Sequence, residues 1–132
     1  MTILVDASAL VAIATQEPDA IDLADTLDEH AERLCCAVGL WEAARAVARK
    51  RTIRATDAGR AIDRLRAELE LRTVDIGEDE VRLAIEAHER YGKGTGHPAR
   101  LNMGDCFAYA CARANDARLL YKGDDFALTD LA

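Results

Sequence analysis

Ile3-Leu4-Val5-Asp6-Ala7-Ser8-Ala9-Leu10 is the stretch whose reading decides the fold. Three apolar residues read as a buried strand. An acid closes it, and a small-residue helical pattern follows at once, so Asp6 is delivered to the carboxyl end of a strand just before the chain turns. In open α/β sheets that edge is where ligands bind. The same placement recurs. Asp105 follows Asn102-Met103-Gly104 and opens a helical pattern, and Asp124 and Asp125 follow Leu119-Leu120-Tyr121-Lys122-Gly123, a strand running into a turn. Glu42 lies in the first turn of another helical pattern. Acids placed this way can converge in space although they are distant in sequence.

Outward from the first strand, strand signals appear at Ile3 to Val5, Leu34 to Ala37, Arg72 to Ile76 and Leu119 to Tyr121, each separated by helical patterns. The alternation predicts an α/β fold, three layers with a central, mainly parallel sheet between helices. The predicted helices are Ser8 to Thr15, Asp19 to Ala31, Leu40 to Arg54, Thr56 to Leu71, Gly77 to about Tyr91, and Gly104 to Asn115. Thr56 is the expected cap of the fourth. Gly92 to Pro98 is a Gly-rich loop, and Ala127 to Ala132 carries no further strand. Neither a linker nor a repeat divides the 132 residues, so one domain over 1–132 is expected.

Composition narrows the classes. Half of the residues are hydrophobic, which argues against disorder. There is no uninterrupted apolar run of about 18 residues and no basic-then-apolar leader, so a membrane span or export is not expected and the cytoplasm is the simplest compartment. Cys35, Cys36, Cys106 and Cys111 form no C-x-x-C pair and read as small buried thiols. The net charge of −7 by itself counts against binding a polyanion. A carboxylate metal site reverses that reading, because bound cations neutralise the acids and bridge to phosphate.

Hard oxygen ligands suit Mg2+ or Mn2+, and such ions serve phosphodiester cleavage by activating water and offsetting charge on the phosphate. Bland readings exist for each acid: Asp6 as a helix cap, Asp105 in a first turn, Glu42 favoured there by the helix dipole. Trp41 is expected in the core. Arg45, Arg49, Lys50, Arg51 and Arg54 cluster after Glu42, and Arg90, Lys93 and Arg100 border the Gly-rich loop. Arg45, Arg49 and Lys93 are the candidate phosphate contacts, with pairing to neighbouring acids the alternative for the two arginines. His97 is expected to be an exposed loop residue.

Together these stretches resemble the PIN domain and, within it, the VapC toxin ribonucleases of bacterial toxin and antitoxin pairs. The anchors are the opening stretch, Leu40-Trp41-Glu42-Ala43, Leu101 to Ala110, and Leu120-Tyr121-Lys122-Gly123-Asp124-Asp125-Phe126, so the resemblance spans the chain. It implies a three-layer PIN fold, an Mg2+- or Mn2+-dependent endoribonuclease acting on RNA, transfer RNA first, a VapB-type antitoxin that blocks the site, and a homodimer. Carried over by position, Asp6, Asp105 and Glu42 are the metal ligands. Ser8 orients Asp6 or a metal-bound water, and Asn102 supports the site from behind. Many PIN domains place a fourth acid three residues before the final Phe, where this chain has Gly123; Asp124 is taken as the substitute, with Asp125 behind it. The apolar faces of the Leu40 to Leu71 helices are the candidate surfaces for antitoxin and dimer. Two other readings compete. A phosphotransferase of the haloacid-dehalogenase type wants a second Asp where Ser8 stands, and a PIN-like module that binds metal or RNA without cleaving keeps the same acids.

Overall fold

The computed structural model describes residues 1–132. Strands β1 (Thr2–Val5), β2 (Glu32–Cys36), β3 (Arg72–Val74) and β4 (Arg118–Leu120) form one sheet in the order β3-β2-β1-β4, and every pairing is parallel. Leu4 lies opposite Leu34 on one side and Leu119 on the other. Helices α1 (Ala7–Ala14) and α2 (Ala20–Asp28) join β1 to β2, and α3 (Ala37–Arg51) and α4 (Ala55–Glu68) join β2 to β3. Helices α5 (Glu78–Tyr91) and α6 (Met103–Ala114) lead back to β4.

The period of two along each strand sorts the core into two halves. Ile3, Val5 and Cys35 pack with Leu10, Leu27, Ala43, Val47 and Ile62 from α1 to α4. Leu4, Leu34 and Cys36 pack with Ala84, Ala87, Tyr109 and Cys111 from α5 and α6. The result is the α/β/α sandwich expected, and near-continuous apolar strands are what a parallel sheet covered on both faces requires. Chain order runs outward from β1 through β2 to β3, then returns to the far side of β1 as β4. The reversal lies between β1 and β4, the switch point at which side chains from the strand ends face an open crevice.

Element ends differ from the sequence reading where capping decides. Helix α3 begins at Ala37 because Cys36 closes β2 and caps the helix, its Sγ accepting from the Gly39 N–H at 3.4 Å. Helix α4 begins at Ala55 and no side chain caps it, so Thr56 is not the cap. Strand β3 ends at Val74, short of the expected Ile76. Trp41 is not in the core: it is 56% exposed. The buried stripe of α3 is Gly39, Ala43 and Val47, one residue every four, and Trp41 falls between its members. The Arg45 guanidinium lies 4.8 Å from the centre of its ring.

The four cysteines are free and buried. His97 packs edge-on against Tyr91 at 5.0 Å and its Nδ1 accepts from the Ala99 N–H at 3.0 Å, so it holds the loop instead of projecting from it. The last residues form turns, fastened where Asp130 accepts from the hydroxyls of Tyr109 at 2.7 Å and Tyr91 at 3.2 Å. No helix is long and apolar enough to cross a membrane.

Candidate active site

Asp6 leaves β1 with extended backbone and caps α1. Its Oδ2 accepts from the Ser8 N–H at 3.0 Å and from the Ser8 hydroxyl at 2.7 Å. Ser8 Oγ in turn accepts from the Lys122 N–H at 2.9 Å, and the Asp6 N–H donates to the Leu120 carbonyl at 2.8 Å. The ends of β1 and β4 are thereby tied together around one carboxylate. Asp105 is held by the start of α6 in a capping box: its N–H donates to Asn102 Oδ1 at 2.8 Å, and its Oδ2 accepts from the Asn102 N–H at 3.1 Å. The local capping roles are real for both residues. They fix each carboxylate's direction without exhausting its lone pairs.

Both acids are nearly buried, Asp6 at 5% exposure and Asp105 at 7%. Glu42 reaches them from α3, and Gly104 makes room for it: a Cβ at that position would run into the Glu42 carboxylate. With Asp125 these side chains line one open cavity of about 470 Å³, together with Ser8, Asn102, Glu17, Arg45, Arg49 and Lys122. Carboxylates that share a cleft resist ionisation together. Burial raises the Asp105 carboxyl to about 7, opposed by its Asn102 hydrogen bond and reinforced by Asp6, Asp125 and Glu42. Burial also pushes Asp6 up against the Ser8 hydrogen bonds that lower it, with Asp125 adding to the rise. Glu42 is raised by burial and then by Asp6, while Arg45 counters.

Of the two neighbouring candidates for the fourth acid, the structure places one in the cleft. Asp125, not Asp124, lines the cavity. Gly123 takes φ +95°, a left-handed turn suited to glycine, and Phe126 is 1% exposed. The buried ring fixes the residue directly before it toward the other acids. Lys93 also lies elsewhere: it borders a separate, mostly apolar hollow of about 480 Å³ between α5 and α6, beside Val81, Ile85 and Met103. Arg45 and Arg49 do line the acid cavity, and neither forms an ion pair with a neighbouring helix. Two charged cavity residues have no counterpart among the sequence-predicted site residues. Glu17, from the turn after α1, and Lys122, after β4, meet at 2.9 Å. The available signal was the position of Lys122 between a strand and an acid pair.

By chemistry the donor set fits a hard divalent cation, all oxygen and two of the acids buried. In this side-chain arrangement no three of the carboxylates converge closely enough to hold an ion among them. They share one cleft and raise one another's pKa across it.

The parallel three-layer domain carries buried acids at its switch point, and residues 3–131 match the PIN domain family. The chain is 35% identical over 128 residues to ribonuclease VapC42 of Mycobacterium tuberculosis, covering 97% of this chain and 95% of that one. It is 38% identical over 138 residues to a VapC ribonuclease of Rhizobium meliloti strain 1021, covering 96% and 97%. Ribonuclease VapC28 of Mycobacterium tuberculosis is 38% identical over 126 residues, covering 96% and 92%. A crystal structure of Mycobacterium tuberculosis VapC20, described as a sarcin-ricin loop cleaving toxin, superposes with a TM-score of 0.71 at 17% identity, covering 95% of this chain and 92% of that one. The chain therefore belongs to the PIN-domain family and, within it, to the VapC ribonucleases.

Proposed function

We propose that this chain is a metal-dependent endoribonuclease toxin: it hydrolyses RNA phosphodiester bonds, transfer RNA first among its targets, and arrests translation in the cytoplasm until a VapB-type antitoxin neutralises it. The observation that carries this reading is the meeting of Asp6, Glu42, Asp105 and Asp125, from four separate segments, in one open cavity.

Asp6, Asp105 and Glu42 are the residues that would hold Mg2+, or Mn2+ in its place, with Asp125 completing the acidic wall. The ion, when bound, supplies charge neutralisation at the phosphate and a more acidic water. The chain's own residues do the rest. Ser8 keeps Asp6 aimed into the cleft, Asn102 keeps Asp105 there, and Glu42 enters through the gap left by Gly104. Arg45 and Arg49 meet flanking phosphates from the exposed side of α3. Lys93 borders the α5–α6 hollow and not the acid cleft, and is assigned a contact with RNA outside the cleft.

The antitoxin and a second copy of the chain are assigned different surfaces. Val47, Ile62 and Leu65 line a groove between α1, α3 and α4, suited to a short apolar segment of the antitoxin. Trp41, Ile85 and Met103, at 56%, 63% and 63% exposure, form the apolar face for a homodimer. The capping roles of Asp6 and Asp105 favour a second reading, a PIN-like module that binds without cleaving. One experiment separates the two. Purified protein is incubated with total transfer RNA and Mg2+ or Mn2+, with EDTA, Asp6→Asn and Asp105→Asn as controls. Discrete fragments that require both metal and the two acids are expected; absence of cleavage under every metal condition sinks the enzymatic reading.

A further inference from the structure

Lys122 sits on the rim of the acid cavity with a double carboxylate clasp. Its Nζ donates to Glu17 Oε1 at 2.9 Å and to Asp19 Oδ1 at 3.0 Å. Glu17 turns its other oxygen toward Lys50, 3.7 Å from Nζ, so one carboxylate stands between two ammonium groups. The lysine backbone is not free to wander: its N–H is bonded to Ser8 Oγ, and Ser8 is bonded to Asp6. Lys122 is thus fixed two hydrogen bonds from the reacting centre. Its clasp, by contrast, is about one-third exposed on each side, and exposed ion pairs of this kind contribute little net stability.

A chain of net charge −7 that admits a polyanion to four acids needs a cation close to them. Arg45 and Arg49 supply charge from α3 alone. Lys122 is the cavity's cation from the strand end that also carries Asp125. An anionic oxygen between two lysines, on a rigid backbone and with a weakly held occupant, is the environment a phosphate would take.

We propose that Lys122, with Lys50 beside it, is the positioning residue for the RNA phosphate next to the scissile bond, and that Glu17 and Asp19 occupy this subsite in the free protein and are displaced by RNA. The inference rests on the ribonuclease reading and adds to it a phosphate subsite with a built-in competitor. Because the α1–α2 turn carries the competitor, that turn sets how much salt and substrate are needed to open the subsite.

The test is RNA binding by the full chain carrying Asp105→Asn, with Mg2+, measured by anisotropy of fluorescently labelled bulk transfer RNA across a salt series. Lys122→Gln, which keeps the aliphatic stem, is expected to weaken binding about five- to tenfold and to lower the slope of log K against log salt by about 1. Lys122→Arg retains most of the affinity. The double substitution Glu17→Gln/Asp19→Asn is expected to tighten binding about threefold with Lys122 present and clearly less in the Lys122→Gln background, where only the freed Lys50 and the general loss of negative charge remain, a coupling that a double-mutant cycle isolates. Asp22→Asn, an exposed acid on α2, shows no such coupling. A merely structural clasp predicts the opposite sign: loss of Glu17 and Asp19 would loosen the rim and weaken binding. That outcome, or an unchanged salt slope in Lys122→Gln, overturns the proposal. If the wild type cleaves no RNA and the Asp105→Asn parent binds none, the ribonuclease reading itself has failed; if the wild type cleaves, the parent binds and Lys122→Gln matches its parent, only the subsite is refuted.

Discussion

Replacing Asp105 by Asn should abolish cleavage and at the same time stabilise the metal-free protein. Asp105 is 7% exposed among Asp6, Glu42 and Asp125, and its carboxyl is raised from 3.8 to about 7, first by burial and then by those neighbours. The folded state therefore holds a proton that the unfolded chain releases at lower pH. Stability from this group is complete below 3.8, falls as pH rises between 3.8 and about 7, and is lost above. At about 1.4 kcal/mol per unit, three units set an upper bound of about 4 kcal/mol. Water in the open cleft screens the carboxylates, and asparagine forgoes a first-turn charge that contributes about 0.3–1 kcal/mol. A net gain of about 1–2 kcal/mol at about pH 8 remains, which for a domain of this size is about 3–8 °C in Tm. The assay is thermal unfolding of wild type and Asp105→Asn in EDTA at about pH 5 and about pH 8, then with millimolar Mg2+. The variant should lead only at the higher pH, and Mg2+ should raise the wild type more than the variant. A variant less stable than wild type at about pH 8, or a gap that does not widen between the two pH values, refutes the account of repelling acids.

Asp125→Asn should reduce RNA cleavage by at least about tenfold through loss of one acid from the cleft, and Asp124→Asn should change it less than about twofold, measured as initial rates at matched folding. Gly104→Ala should leave the helical circular dichroism intact yet cut activity about tenfold or more, because the new methyl displaces the Glu42 carboxylate; activity equal to wild type would show that Glu42 has room elsewhere. Phe126→Ala removes a ring that is 1% exposed and should cost about 3–5 kcal/mol in urea unfolding, with cleavage lost as Asp125 comes loose. The proposed dimer face predicts that a Trp41→Glu/Met103→Glu pair is monomeric in light scattering at concentrations where the wild type is dimeric, with its circular dichroism unchanged, since both side chains are more than half exposed.

The parallel sheet is legible in the alternation of strand and helix signals along the chain, and the position of Asp6 in eight residues, because a short apolar run ended by an acid and followed by helix-forming small residues has few other uses. Asp105 is legible as the acid that opens a helical pattern; the Asn102/Asp105 capping box that sets the carboxylate's direction and starts α6 at Met103 emerges in the structure. What fails does so where a side chain's direction is set by contacts remote in sequence. Asp124 and Asp125 are indistinguishable as letters; the left-handed Gly123 and the buried Phe126 decide between them, and neither conformation nor burial is encoded in the pair itself. Trp41 is misplaced by its hydrophobicity, because a helix packed on a sheet buries one narrow stripe and leaves an adjacent large ring outside unless another surface covers it. Lys122 escapes notice because a single lysine between a strand and a turn is ordinary. Its meaning comes from Glu17 and Asp19, more than a hundred residues earlier, which only the return of β4 beside β1 brings within hydrogen-bond reach. Within the cleft, Glu17, Lys122 and Asp125 are set facing one another by the return of β4 beside β1. In this fold the switch point creates the cleft and also determines which charges face one another across it.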